Sequence, residues 1–496
     1  MFTVCTFILL CLAYILTYMY LKKKFQYWQD RNVAFVAPNM ILGNLYSLLS
    51  LKRSPGHWLM DHYKRFGTNY FGLFAFTKPI LVIKSPKIIK DILIKDFSYF
   101  DNRTATVSTH DKIMSNMLFT KQNPAWKKVR SKVTPLFSSG KLRLMFTPIL
   151  AQAEHMVRNV RLLVSCQESI EIKEICTKYS TNVIAKCAFS VDARTFENDK
   201  AEFREIGRCL FDSRLENRLR FFAARFLPSL VKSFNIFLVR PTVSETLRNI
   251  FTTIFDVRKK SRKSKDNDLI DILLRIEDYH KDDKDFGAES LLGAAVNFFA
   301  AGFETVATTM AFVLYELCIA PEIQTKLRDE IASNVEKNRG LVYENMNEMK
   351  YLDMVVCETL RKYPVLPFLD RMCNSAYKIP NTDLVVEQGT VVYVPLFGLH
   401  YDEIYFPNPE KFIPERFEHK CEINNDGLYY LPFGEGPRNC IGTRFGLMTL
   451  KIGIIQMLLN FELKLSANTP IPLIYDPKAI IVSSKVGLPM KVLPLN

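Results

Sequence analysis

Residues 430–446 read YLPFGEGPRNCIGTRFG, and Phe433, Gly436, Arg438, Cys440 and Gly442 set out the pattern F-x-x-G-x-R-x-C-x-G. The run then turns into an apolar, helix-like segment. A cysteine sulfur held bare at a helix start meets backbone N–H groups and the positive helix end, which favour thiolate over thiol. Glycines at 434, 436 and 442 let the chain bend and bring backbone close to a flat partner. Arg438, two residues before the sulfur, is a fixed cation suited to a carboxylate on that partner. A lone Gly-x-x-x-Cys would be a glycine-rich turn with a buried cysteine; the five spaced positions point to a sulfur with a function.

A second constellation lies at 300–305, Ala-Ala-Gly-Phe-Glu-Thr, inside the long apolar helical stretch 291–318. A buried acid is costly without work or a partner, so Glu304 stands out. The small residues at 300–302 let a planar ligand press against the helix. Thr305 is predicted to hydrogen-bond back to the Ala301 carbonyl and open the ladder locally. An acid beside an alcohol at such an opening suits the relay of protons from solvent. Two further pairs share helix faces: Glu358 with Arg361, and Trp126 with Arg130 in W-K-K-V-R. Alone, each is a common surface arrangement.

The elements that must position these residues are mostly helical. The pattern is helical from about 124 to 318 and on to Tyr363, with few Gly or Pro interruptions. Short strands follow through Val394, then a loop-rich stretch, then a helix over 441–461. Runs 70–76 and 80–83 around Lys78-Pro79 predict a hairpin, and Ser85-Pro86 opens a helix. The fold class is mainly α with small β-sheets. No repeat or Ser/Gly linker divides 30–496. Residues 2–21 are uncharged and mostly apolar, about a membrane span, and Lys22, Lys23 and Lys24 follow. A cleaved signal peptide would carry its charge before the apolar run and small residues after it. The organisation is therefore an uncleaved anchor (1–24), a linker (25–45) and one catalytic domain (46–496), with the positive-inside bias placing that domain in the cytosol. The basic-aromatic stretch 214–241 reads as a surface in a membrane interface, or as a packed helix pair capped by arginines. The charge run 258–265 predicts a solvated helix end, and Asp282, Asp283 and Asp285 an acidic loop.

Composition narrows the partners. The 496 residues carry a net charge of +15, which fits an anionic membrane or an acidic protein. No zinc-finger, RNP-like or basic-heptad pattern appears, so nucleic acid is the weakest candidate and none is expected as a partner. Eleven scattered cysteines give no disulfide framework, and seven histidines give no zinc spacing.

The cysteine loop closely resembles the haem-binding loop of the cytochrome P-450 monooxygenases. Four signatures occur in that family's order, and the similarity runs from about Phe35 to the end. Stretches 299–310, 363–371 and 406–417 resemble the insect microsomal, xenobiotic-metabolising branch most. Microsomal members usually carry a denser proline cluster after the anchor, where this chain has Pro38 alone. The resemblance implies the P-450 fold behind a single transmembrane anchor, with haem b (iron protoporphyrin IX) ligated through its iron by Cys440 in the loop that begins at Phe433. It implies Thr305 and Glu304 as proton donors on the distal face. Glu358, Arg361 and Arg416 form a structural triad. Trp126, Arg130, Arg371 and Arg438 hold the haem propionates, with Arg103 joining them. By the same resemblance, stretch 214–241 falls where the family has a mobile lid between two helices that often dips into lipid. The implied partners are NADPH–cytochrome P-450 reductase, cytochrome b5 as a further donor, the endoplasmic reticulum membrane and a lipophilic substrate lined by Phe298, Ala301, Val365, Leu366 and the loop after Val107. Lys127, Lys128 and Lys132 offer a basic patch for the electron donor. Two rival classes remain at this stage: a haem-thiolate isomerase or dehydratase that needs no dioxygen, and a membrane-tethered binding protein without cofactor.

Overall fold

The structure, a computed structural model, describes residues 2–260, 268–279, 287–419 and 423–495. Its axis is the 32-residue helix Ala288–Ile319. That helix is apolar on every side, and Val296, Phe299, Ala307, Met310 and Leu314 are all buried. A helix without a polar face belongs inside a core. It packs against Ile172–Phe189 on one flank and Thr443–Asn460, the helix after the cysteine loop, on another.

Strands are few and short. Tyr70–Ala75 and Lys78–Ile83 form the expected antiparallel hairpin, with Tyr70 opposite Ile83. Lys78–Ile83 runs parallel to Val391–Val394, which pairs antiparallel with Leu369–Met372 and sets Arg371 opposite Val392. The buried β-branched and aliphatic residues Ile80, Val82 and Val392 seat this sheet against the helical body.

Helix Phe2–Phe25 projects its apolar side chains outward; Phe7 is 68% and Tyr14 73% exposed. Two helices among the described residues are long and apolar enough to cross a membrane, and the other, Ala288–Ile319, is the core axis. The stretch 25–45, expected as a linker, is docked instead. Trp28 is fully buried and donates its indole N–H to the Leu73 carbonyl at 3.0 Å, while Phe35 bridges Gly72. Burying an indole with its N–H satisfied outweighs the loop-forming tendency of Pro38 and Gly43.

The stretch 214–241 forms helices Leu215–Phe226 and Pro228–Ser233. Phe226 and Phe222 turn inward, Phe222 meeting Phe76 edge-on, while Leu215, Leu219, Leu230 and Phe234 face out. Arg258 departs from its predicted solvated position. Near the end of helix Pro241–Lys260 it bonds Asp268 and Asp271, each at 2.9 Å, in a largely buried cluster. The rest of the run beyond Lys260 and the acidic loop at 282–285 lie outside the described residues.

Candidate active site

The cysteine loop owes its shape to two glycines. Gly434 and Gly436 have φ of 68° and 74°, the left-handed region that side chains resist. A Cβ at Gly436 would also run into the Leu93 carbonyl. Gly442 differs from expectation. Its φ is −92°, so it does not bend the chain through a positive dihedral. A Cβ there would find only the Phe137 ring, 3.7 Å away, yet Gly442 lines the main cavity. Its missing side chain leaves room for a flat group. The Cys440 N–H donates to the Phe433 carbonyl at 2.9 Å, the Thr443 hydroxyl to the Cys440 carbonyl at 3.0 Å, and the cysteine is exposed.

Phe433, Cys440, Ala301 and Thr305 all line that one cavity, of about 580 Å³. Phe298, Val365 and Leu366 line it as predicted, and Phe137 stacks on Phe298 at 5.3 Å. The loop after Val107 contributes Met114, Met117 and Phe119. The Thr305 hydroxyl donates to the Ala301 carbonyl at 2.7 Å, the predicted back-bond. Glu304 does not join it. Its carboxylate accepts from Lys173 Nζ at 2.8 Å, and the same ammonium reaches the Thr308 hydroxyl at 2.8 Å. Successive helical side chains point about 100° apart, so the acid and the alcohol face different neighbours.

The predicted arginines converge beside the loop in two ways. Arg371 and Arg438 are buried, 1% and 3% exposed, and Arg371 Nε and Arg438 Nη1 have no protein partner. Both guanidinium pKa values are pushed down to about 9 by burial, with the charge of Arg103 adding to it. Orphaned buried donors are costly, so this place calls for an anion. Arg438 also lies over the Trp126 ring at 4.1 Å, which gives Trp126 a part in holding that cation. Arg130 is already engaged: it donates to the carbonyl and side-chain oxygen of Asn439 at 3.0 and 2.9 Å, clamping the residue before Cys440. Arg103 reaches the Arg438 carbonyl and lies 3.9 Å from Asp370.

A cytochrome P450 family model matches residues 35–491. Cytochrome P450 6k1 of Blattella germanica is 38% identical, the alignment covering 97% of this chain and 96% of that protein. Cytochrome P450 6j1 of the same organism is 36% identical over 97% and 95%. Probable cytochrome P450 6g2 of Drosophila melanogaster is 36% identical over 96% of each chain.

The chain belongs to the cytochrome P450 family. It is a haem-thiolate monooxygenase that binds haem b, and the two rival classes give way to that assignment. The residues of this P450 fit the cofactor: a bare sulfur, a side-chain-free Gly442 and two buried arginines with donors to spare.

Beneath the loop of this P450, Arg361 grips Glu358 through two bonds of 2.7 and 2.9 Å, both side chains fully buried, and Arg416 adds a third at 3.4 Å. Three participants carry no sequence motif. His400 accepts from the Leu431 N–H at 3.1 Å and lies 3.1 Å from the Arg361 carbonyl, tying triad to loop. Lys173 partners Glu304. Asp370 gathers Arg103 and Arg225 and accepts from Thr104 at 2.7 and 2.6 Å. Burial alone would raise the Asp370 carboxyl, but the two arginines and Thr104 hold it well below the usual carboxylate range. Only spatial proximity, not spacing along the chain, marks these three.

Proposed function

We propose that this P450 is a membrane-anchored enzyme that inserts one atom of dioxygen into a lipophilic small molecule, with NADPH electrons delivered by a separate reductase. The observation that carries the reading is the single cavity shared by Cys440, Thr305 and a lining of phenylalanines, leucines and valines. Haem, when bound, supplies the oxygen activation that no side chain can perform.

The chain's own residues do the rest. Cys440 would hold the haem iron through its thiolate. Arg371 and Arg438 would hold the propionates with their spare donors, and Trp126 and Arg130 brace Arg438 and Asn439. Thr305 is the cavity's proton donor; its hydroxyl can leave the Ala301 carbonyl at the cost of one hydrogen bond. Glu304, paired with Lys173 at 2.8 Å, braces the turn of helix that presents Thr305. The apolar lining excludes water and holds the substrate. Exposed Lys127 and Lys128 on helix Ala125–Val133, with half-buried Lys132, offer a basic face to the reductase and to cytochrome b5. Helix Phe2–Phe25 and its three terminal lysines hold the enzyme in the endoplasmic reticulum membrane with the catalytic domain in the cytosol.

The test is the reduced carbonyl spectrum of the purified chain, followed by turnover with reductase, NADPH and isotopically labelled dioxygen. A strongly red-shifted band that disappears in Cys440→Ala supports the reading, as does one labelled oxygen atom in the product. A band that survives in Cys440→Ala overturns the cysteine assignment.

A further inference from the structure

Helix Phe2–Phe25 does not end in a free tether. Its backbone ladder runs on: the Gln26 N–H donates to the Lys23 carbonyl, Tyr27 to Lys24 and Asp30 to Gln26, so the helical run reaches Arg31. Leu21, Phe25 and Trp28 stand at i, i+4 and i+7, one stripe of that run. The stripe enters the core of the domain. Phe25 is 8% exposed and meets Phe74 edge-on at 5.2 Å, Trp28 is buried, and Leu21 packs half-buried against the same cluster. Glu387 clamps the turn that follows. It accepts from the Tyr27 hydroxyl at 3.1 Å and from Arg31 at 2.5 Å, while Arg31 lies over the Tyr27 ring at 3.8 Å. Asn32, with φ of 53°, then ends the run.

We propose that the anchor and the catalytic domain turn as one rigid body, and that the stripe of Leu21, Phe25 and Trp28 is the joint that fixes the domain's angle on the bilayer. A flexible tether needs residues free of both the anchor and the fold. Here Leu21, the last residue of the apolar run, already touches the domain, and the helix is unbroken from there to Phe25. Four residues of helix rise about 6 Å, so one turn separates the end of the apolar run from the buried Phe25. Lys22, Lys23 and Lys24 are exposed on the other faces of that turn, at the level of the lipid headgroups, where anionic phosphates hold them. Swinging the domain would strip Phe25 and Trp28 from their cluster into water, or break the helix beside the lysines. Held at one angle, the domain shows the same face to any partner tethered in the same membrane, which shortens the orientational search of each encounter. This inference rests on the proposed reading of Phe2–Phe25 as a membrane anchor, and it adds how that anchor is joined.

The experiment places the haem-loaded full chain in vesicles of phosphatidylcholine and phosphatidylserine, photolyses its carbonyl complex with polarised light, and follows the decay of the haem dichroism. The parent should show only the slow rotation of a membrane-embedded body. Inserting Gly-Gly-Ser between Lys24 and Phe25 should add a component about tenfold faster, because a flexible linker lets the domain swing. The pair Phe25→Ser, Glu387→Ala keeps the chain length and should add the same component. Both variants should keep the reduced carbonyl band of the parent, since neither change reaches the cavity. A parent that already shows the fast component overturns the proposal. Variants that rotate as slowly as the parent also overturn it, because the domain's own surface, and not the joint, then holds it to the bilayer. A parent that fails to co-sediment with the vesicles overturns the anchor reading itself, and the joint with it, before any rotation is measured.

Discussion

Lys173 Nζ stands 2.8 Å from the Glu304 carboxylate, and this ion pair joins helix Ile172–Phe189 to the central helix one residue before the cavity-facing Thr305. The acid and the alcohol that the sequence sets side by side therefore divide their duties. Glu304 is held by a partner, whereas Thr305 meets the cavity.

Separate substitutions should expose this division. Thr305→Val keeps shape and removes the hydroxyl, so product formed per NADPH consumed should fall on the order of a hundredfold with the fold intact. Glu304→Gln and Lys173→Met should each lower unfolding free energy by about 1 kcal/mol, since the pair is partly buried. The double variant should be no worse than either single one, because both remove the same contact. Denaturant unfolding alongside reductase-coupled turnover measures both quantities. Equal loss of coupling in Thr305→Val and Lys173→Met would show that the ion pair belongs to the proton path.

Two loop glycines should respond in opposite ways. Gly436→Ala must hold a positive φ and displace the Leu93 carbonyl, so folded, haem-containing protein should not be recovered. Gly442→Ala meets only the Phe137 ring at ordinary contact distance. Its cofactor-free stability should stay within about 0.5 kcal/mol of the parent. Haem affinity should nevertheless fall, because the added methyl enters the cavity. Haem transfer to an apoprotein acceptor and thermal melting of the apo form separate the two effects.

Much of this was legible in the sequence, because the chemistry sits in local patterns. The hairpin, the axial helix, the Thr305 back-bond and the Glu358–Arg361 grip each follow from residues within a few positions of one another. What was hidden is contact between distant segments. Nothing near Trp28 indicates that its indole will cap the Leu73 carbonyl, and nothing near Lys173 indicates Glu304. Arg258 sits in a basic run that predicts a solvated position, yet the acids that pair with it, Asp268 and Asp271, begin ten residues on. Gly442 shows a further limit: the same residue type that bends the chain at 434 and 436 serves there by leaving space.

His400 predicts an acid limb in the stability profile. Burial, with the Arg361 charge adding to it, pushes its pKa down to about 3, against about 6.5 in an unfolded chain. A depressed folded value means that the unfolded state binds the extra proton between these limits. Stability is therefore full above about pH 6.5 and falls as the pH drops toward 3, by about 1.4 kcal/mol per pH unit for this one group. His400→Gln should be less stable at pH 7, where Leu431 N–H loses its acceptor geometry, but flatter across the acid limb. Denaturant unfolding at a series of pH values gives both slopes, and parallel profiles would remove His400 from the account.

The Glu358–Arg361 pair should behave as a unit. Both side chains are fully buried, and Glu358 also accepts from the Ile413 N–H at 2.9 Å. Glu358→Gln leaves Arg361 charged and half-satisfied in the core, which costs about 3–5 kcal/mol. Arg416→Lys touches a longer contact at a less buried site and should cost under about 1 kcal/mol. The double variant Glu358→Met, Arg361→Leu removes both charges together, so it should unfold at higher denaturant than Glu358→Gln alone. The pair lies beneath the loop rather than in the cavity, so whatever fraction of each variant folds should keep the red-shifted carbonyl band. A folded Glu358→Gln that had lost the band would mean that the triad tunes the thiolate directly, through His400 and Leu431, and does not only support the loop that presents it.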